Sequence, residues 1–207
     1  MSLFKNLIKN ARIPSNTLAG RLFLSGMNYG HQKMALWCID NHINLSGNED
    51  ILDIGCGGGQ NIANFLKRTK GKVFGLDCSP ASVAKSLKKN KKAVIKERTL
   101  IVQADVSAIP FENETFDLVT AFETIYFWDD IISGFNEAKR VLKPNGRFVV
   151  CNESSKMEGN ERWTNILDMN IYTAEEIAAT MRHVGFVNIQ AHKRENTQHI
   201  CVIGVRA

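Results

Sequence analysis

Short apolar runs alternate with stretches of helical period over most of this chain. The runs at about 50–54, 72–76, 99–103, 116–121 and 146–151 read as strands. Being apolar on both faces, they suit a parallel sheet covered by helices. Between them, residues 60–68, 80–92 and 129–142 carry helical spacing. The first of these should begin near Gln60, with Ile62, Ala63, Phe65 and Leu66 inward; the second opens at Ser79-Pro80. The third lays Ile131, Ile132, Phe135, Ala138, Val141 and Leu142 along one stripe and stops at Pro144-Asn145-Gly146. This alternation predicts βαβ units.

From Thr173 the order changes. Thr173 and Glu176 have the spacing of a capping box, which opens a helix ending at Gly185. Phe186–Ala191 and His199–Val205 are β-like runs whose short polar link permits only an antiparallel hairpin. The expected fold is therefore α/β: a seven-stranded, mostly parallel, Rossmann-like sheet ending in an antiparallel hairpin, with helices on both faces. One domain over 1–207 is expected, with a helical cap at 1–45, a core at 46–151, an insertion at 152–171, and the terminal helix and hairpin at 172–207. The cap holds an apolar helix through Ala35, Leu36, Trp37 and Ile39. Cap and insertion both belong near the C-terminal edge of the sheet, where open α/β sheets bind ligands, and so are candidates for a substrate lid.

Composition narrows the classes. No apolar run approaches the roughly 20 residues of a membrane helix, and the first residues lack the apolar region of a signal peptide. A cytoplasmic protein is expected. Cys38, Cys56, Cys78, Cys151 and Cys201 are odd in number and widely spaced, without a Cys-x-x-Cys pair. That spacing argues against a disulfide framework and a zinc site, and no metal is expected. The net charge of +5 is concentrated: residues 67–98 hold 11 of the 26 basic residues, against the acids Asp77 and Glu97. Lys85, Lys88, Lys89 and Lys92 recur at helical spacing beside Val83, Ala84 and Leu87, as a solvated helix face or as a patch for an anionic partner.

Residues 51–59, ILDIGCGGG, constrain the chemistry most tightly. A strand running into glycines before a helix lets the backbone approach a nucleotide-like ligand closely. Gly55 and Gly57 match the first two glycines of a dinucleotide fingerprint, but Gln60 occupies the third position. Asp53, at the strand end, would repel a pyrophosphate and welcome an amino group; alternatively it caps the loop through backbone amides. Asp77 and Asp105 stand at or just beyond the next two strand ends. A carboxylate like Asp77 accepts two hydroxyl bonds from a ribose diol. Asp105 suits an exocyclic adenine amine, with the Val106 amide on a ring nitrogen and Cys78 against the ring face.

With these residues in order, the chain resembles a class I S-adenosylmethionine-dependent methyltransferase of the small-molecule branch, the type 11 methyltransferase domain. The resemblance runs through ILDIGCGGG, GLDCS, QADVSAIPFENETFDLVTAFETIYFW and VLKPNGRFVV over residues 45–151, and YTAEEIAATMRHVGF extends it. It implies S-adenosylmethionine as methyl donor and S-adenosylhomocysteine as product. It further implies that Gly55, Cys56 and Gly57 border the methionine moiety, that Asp77 holds the ribose, and that Asp105 and Val106 hold the adenine. The backbone near Phe122 would meet the methionine amino group, in agreement with Asp53.

The stretch 121–128 should face the acceptor, yet it contains neither the Pro-Pro-aromatic motif of DNA amino-methylating relatives nor the Pro-Cys of cytosine methylases. The reading is therefore a small-molecule acceptor and not a nucleic-acid base. Methylation of RNA or protein, and a non-catalytic cofactor-binding subunit, stand as alternatives. Proton-accepting candidates are His31, Tyr29, Glu123 and Tyr126, while Ile125, Phe127 and Trp128 read as packing. Met157, Trp163, Ile166, Met169 and Tyr172 hint at an apolar acceptor pocket or at the lid's own core. The acceptor and the oligomeric state are not legible.

Overall fold

The structure, a computed structural model, describes residues 32–156 and 169–207. Among these residues, seven strands form one sheet in the order β3-β2-β1-β4-β5-β7-β6. The strands are β1 (Ile51–Ile54), β2 (Val73–Asp77), β3 (Thr99–Gln103), β4 (Phe116–Phe122), β5 (Leu142–Asn152), β6 (Phe186–Lys193) and β7 (Ile200–Arg206). The first five pair in parallel; β7 runs antiparallel to both β5 and β6. The expected α/β architecture with its terminal hairpin is the one observed.

Helices cover both faces: α1 (Gln32–His42), α2 (Gln60–Phe65), α3 (Pro80–Lys89), α4 (Lys91–Ile95), α5 (Ile131–Val141) and α6 (Ala174–His183). Side chains of β1 alternate between two cores. Leu52 and Ile54 join Phe135, Ala138, Ile177 and Met181 under α5 and α6, whereas Ile51 joins Met34, Ile39, Ile62 and Phe65 under α1 and α2. Crossovers therefore lie on opposite faces on either side of β1. The strand order reverses between β1 and β4, the topological switch point at which such sheets open a crevice.

Several boundaries differ from expectation. Strand β5 begins at Leu142, directly at the end of α5, and Pro144-Asn145-Gly146 lies inside it. Pairing jumps from Phe116↔Leu142 to Leu118↔Arg147, so the turn residues bulge out while the strand continues. The 80–92 helix breaks at Asn90, whose buried amide donates to Gly59 O (3.1 Å) and Ser86 O (3.0 Å) and draws the chain out of helical geometry. Helix α2 ends at Phe65 and buries Asn64 in place of Ala63. The capping box at Thr173 forms as expected, with both reciprocal bonds.

The lysine-rich helix buries an unexpected stripe. Ala81, Ser82, Ser86 and Asn90 face inward, while Ala84 and Leu87 lie exposed beside Lys88, Lys89 and Lys92. Small residues are needed there because the Gly59 loop packs against them; an added Cβ on Gly59 would stand 2.5 Å from Asn90 Nδ2.

Candidate functional site

The glycine loop fills the mouth of the β1–β4 crevice. Gly55, Gly57 and Gly59 all adopt left-handed backbone, with φ of 67°, 51° and 75°. That geometry strains any side chain, and it explains why glycine recurs at alternate positions. The Cys56 amide donates to Leu76 O (3.0 Å), hooking the loop onto β2. On the other lip, an added Cβ at Gly55 would lie 2.6 Å from Thr124 Cβ, so β4's exit packs directly on the loop.

Two acids occupy this crevice. Asp53 is 1% exposed, and its Oδ1 accepts from Thr120 Oγ1 (2.8 Å) on the neighbouring strand. Burial pushes the Asp53 carboxyl up to about 7; the Thr120 hydroxyl opposes that shift, and the charge of Asp77 adds to it. Asp77 is also buried. It accepts from the amides of Gly57 (2.8 Å) and Ser79 (2.9 Å), one on each oxygen. Burial raises its pKa too, against the bonds from Ser79, Gly57 and Ser82. The loop-capping role considered for Asp53 thus falls to Asp77, while Asp53 bonds a side chain across the sheet. Each carboxylate keeps lone pairs for a ligand.

Asp105 differs from these two. It is exposed and caps the 3-10 turn Val106–Ala108, its Oδ1 accepting from Ser107 N (2.9 Å) and Ser107 Oγ (2.7 Å). Val106 is buried against Trp128 and Gly134. Cys78 is exposed at the end of β2, beside the Gln103 amide that donates to its carbonyl. Phe122 ends β4 one residue beyond the β1 pairing, with its ring 6.3 Å from Phe65.

At the exit of β4, Tyr126 takes a different part from the proton-accepting one expected. Its ring is buried; its hydroxyl accepts from Ser154 N (2.9 Å) and lies within bonding distance of Ser154 O (2.9 Å) and Glu123 Oε1 (3.2 Å). Its carbonyl accepts from Asn170 N (3.0 Å). Tyr126 therefore holds both roots of the 152–171 insertion. Burial, followed by the Glu123 charge, raises its pKa well above the usual phenol range, the wrong direction for a proton acceptor. Glu123 sits at the strand exit with φ 56° and also accepts from Glu153 N. Tyr29, His31, Met157, Trp163 and Ile166 lie outside the described residues. Met169 and Tyr172 are half-buried, and Ile125 and Trp128 pack as expected.

Tyr126→Phe removes the hydroxyl while leaving the buried ring. We expect a loss of about 1–2 kcal/mol in urea unfolding, because the Ser154 amide loses its acceptor. Limited proteolysis should then cut faster in the 152–171 insertion; unchanged cleavage would contradict the anchoring role.

Sequence reasoning passed over Thr120, Thr124 and Asn90. Each is an ordinary strand, loop or helix residue until register sets it against Asp53, Gly55 or Gly59. Among the described residues no helix is long and apolar enough to cross a membrane.

Comparison with known proteins agrees with this geometry. Residues 52–150 match the profile of a methyltransferase domain. Over 115 residues the chain is 35% identical to Sterol 4-C-methyltransferase strm-1 of Caenorhabditis elegans, covering 54% of this chain and 33% of that one. Over 98 residues it is 34% identical to the mitochondrial Arginine-hydroxylase NDUFAF5 of Mus musculus, covering 47% and 27%. The chain matches less than half the length of these curated relatives. A methyltransferase solved in complex with the Haloferax volcanii Trm112 methyltransferase activator superposes with a TM-score of 0.79 at 18% identity, over 100% of this chain and 98% of that one. Sheet order, the glycine loop at the switch point and the profile match converge: residues 52–150 of this chain are a methyltransferase domain built on a Rossmann-like sheet.

Proposed function

We propose that this chain transfers a methyl group from S-adenosylmethionine to a small-molecule acceptor. The observation that carries the reading is the pair of buried acids at the switch point, Asp53 and Asp77, whose carboxyls burial holds above their ordinary range. A pyrophosphate would add negative charge to that pair. An adenosine bearing an ammonium group relieves it, and so the residues fit this cofactor.

On this reading Asp53 and the Phe122 backbone receive the amino group, and Gly55, Cys56 and Gly57 border the methionine chain. Asp77 takes the ribose diol with the lone pairs left by Gly57 and Ser79. Asp105 offers its Oδ2 to the adenine amine beside the Val106 amide, with Cys78 at the ring. When bound, the cofactor supplies an electrophilic methyl on a sulfonium, ready for in-line displacement. The chain's task is to orient the acceptor and exclude water; Tyr126 serves by fixing the insertion's roots. On this reading Glu123 takes the proton from an acceptor that must lose one. The cytoplasm suits its five reduced thiols. The small-molecule reading draws on the sterol-methylating relative and on the missing base-methylation motifs.

Incubation with labelled S-adenosylmethionine and a deproteinised metabolite extract tests the reading. Label should enter low-mass products with matching S-adenosylhomocysteine. Label on RNA or polypeptide would transfer the activity to a macromolecule, a reading favoured by exposed Lys88, Lys89 and Lys92. Reversing those three charges separates the two. Small-molecule turnover should be unchanged, whereas a macromolecular acceptor would bind more weakly and with a flatter salt dependence. Cofactor binding without any turnover would point to a non-catalytic subunit.

A further inference from the structure

Three of the five cysteines, distant in sequence, meet in one place. One register row crosses the sheet from β4 to β6 as Phe122↔Cys151, Cys151↔Cys201 and Cys201↔His192. Helix α1 lies over that row and contributes Met34, Cys38 and His42. Cys38 Sγ lies 2.9 Å from Cys201 Sγ, and both side chains are fully buried. Cys151 lies against both thiols, and its Sγ donates to Met34 Sδ (2.8 Å). The His42 and His192 rings stack at 4.1 Å at the outer edge of the group. His42 Nε2 is buried without a hydrogen-bond partner. Among the described residues no group of His, Cys, Asp or Glu is arranged to hold a metal ion. The chemistry available to the converging thiols is their own oxidation.

We propose that Cys38 and Cys201 are a peroxide-oxidisable pair whose disulfide fastens α1 to the terminal hairpin. Cys201 is the attacking group. Contacts from Cys151 and Cys38 lower its pKa against its burial, with His42 and His192 adding to the lowering, while burial raises those of Cys38 and Cys151. The Cys201 thiolate attacks one peroxide oxygen and breaks the O–O bond; the hydroxide released takes up a proton and leaves as water, giving a sulfenic acid. Cys38 sulfur then attacks the sulfenic sulfur, its thiol proton leaves with the hydroxyl as a second water, and the S–S bond forms. Two thiols have been oxidised by two electrons and one peroxide reduced to two waters. Peroxide is small enough to enter when the His42 end of α1 opens locally.

The pairing has a structural consequence. Cys38 and Cys201 are 163 residues apart, so the bond closes a long loop and limits the unfolded chain strongly. Cys201 lies two strands from Phe122, about 10 Å along the row, so the bond also fixes α1 over the flank of the crevice. The proposal stands apart from the identity of the methyl acceptor.

The test treats the folded full chain with hydrogen peroxide, then denatures it, alkylates it and maps the peptides. A Cys38–Cys201 link, and a thermal midpoint raised by roughly 5–10 °C and restored by dithiothreitol, are expected. Cys38→Ser should lose both link and shift. If that variant does not fold, the wild-type peptide map decides. Alkylation of all five thiols after peroxide, a Cys151–Cys201 link instead, or a midpoint shift that survives in folded Cys38→Ser would overturn the proposal.

Discussion

Replacing Asp53 by asparagine is expected to stabilise the cofactor-free chain at pH 8 while weakening its hold on S-adenosylmethionine. Asp53 is buried beside a second acid, and its carboxyl is raised from an ordinary 3.8 to about 7. A carboxyl raised in the folded state binds more protons folded than unfolded between those two values. Its contribution to stability is fully present below about pH 4 and is lost as pH rises through 7. At 1.36 kcal/mol per unit, the charge costs the fold about 4 kcal/mol at pH 8. Asparagine carries no charge and can still accept the Thr120 hydroxyl. Urea unfolding at pH 5 and pH 8 should show a wild type that weakens between them, and a variant that lacks this loss and gains roughly 2–4 kcal/mol at pH 8. For the ligand the sign reverses. An ammonium group binds the ionised carboxylate, so wild-type affinity should rise from pH 6 to pH 8. The variant should bind some 10–100-fold more weakly, the range of a charge-assisted bond. A variant that binds as tightly as wild type would remove Asp53 from the ligand's contacts.

The second large effect is at Gly55. Gly55→Ala puts a side chain at φ 67° and a Cβ 2.6 Å from Thr124 Cβ. Left-handed backbone costs an alanine about 1–2 kcal/mol, and overpacking costs another 1–3 kcal/mol. Relief requires Thr124 to move, and the bond from Trp128 Nε1 to its hydroxyl (3.3 Å) goes with it. A loss of about 2–5 kcal/mol in unfolding free energy is expected, with cofactor binding reduced at least as far as in Asp53→Asn. The double variant Gly55→Ala/Thr124→Gly separates the causes: it should recover the steric share and retain the backbone share. Full additivity of the two changes would show that the collision is relieved without Thr124.

The parallel sheet, its helices and the terminal hairpin were legible in the sequence because each rests on local patterning. Buried strands such as Ile51–Ile54 are apolar throughout, and the Thr173 capping box needs only residues three apart. What sequence could not supply was long-range register. Pro144-Asn145-Gly146 reads as a stop, yet pairing with β4 absorbs it as a bulge. The solvated lysine face was legible from helical spacing, but which side of that helix is buried was not: the glycine loop admits only the Ser82, Ser86 and Asn90 side. In the candidate site, Asp53 and Asp77 were recognisable as strand-end acids. Their partners Thr120 and the Gly57 amide were not, because sheet pairing and the loop's left-handed turns set those contacts. Tyr126 read as a reactive group for the same reason: its anchoring of the insertion depends on Ser154 and Asn170, which the chain reaches only by folding back.

The central claim is that the β1–β4 crevice holds an adenosine carrying a methionine amino group. Isothermal calorimetry of the wild-type chain, titrated in parallel with S-adenosylmethionine, S-adenosylhomocysteine and NAD at pH 8, tests it most directly. Saturable one-to-one binding of the first two, with no heat of binding for NAD, is the predicted result. Tight binding of NAD with none for the methyl donor would contradict it.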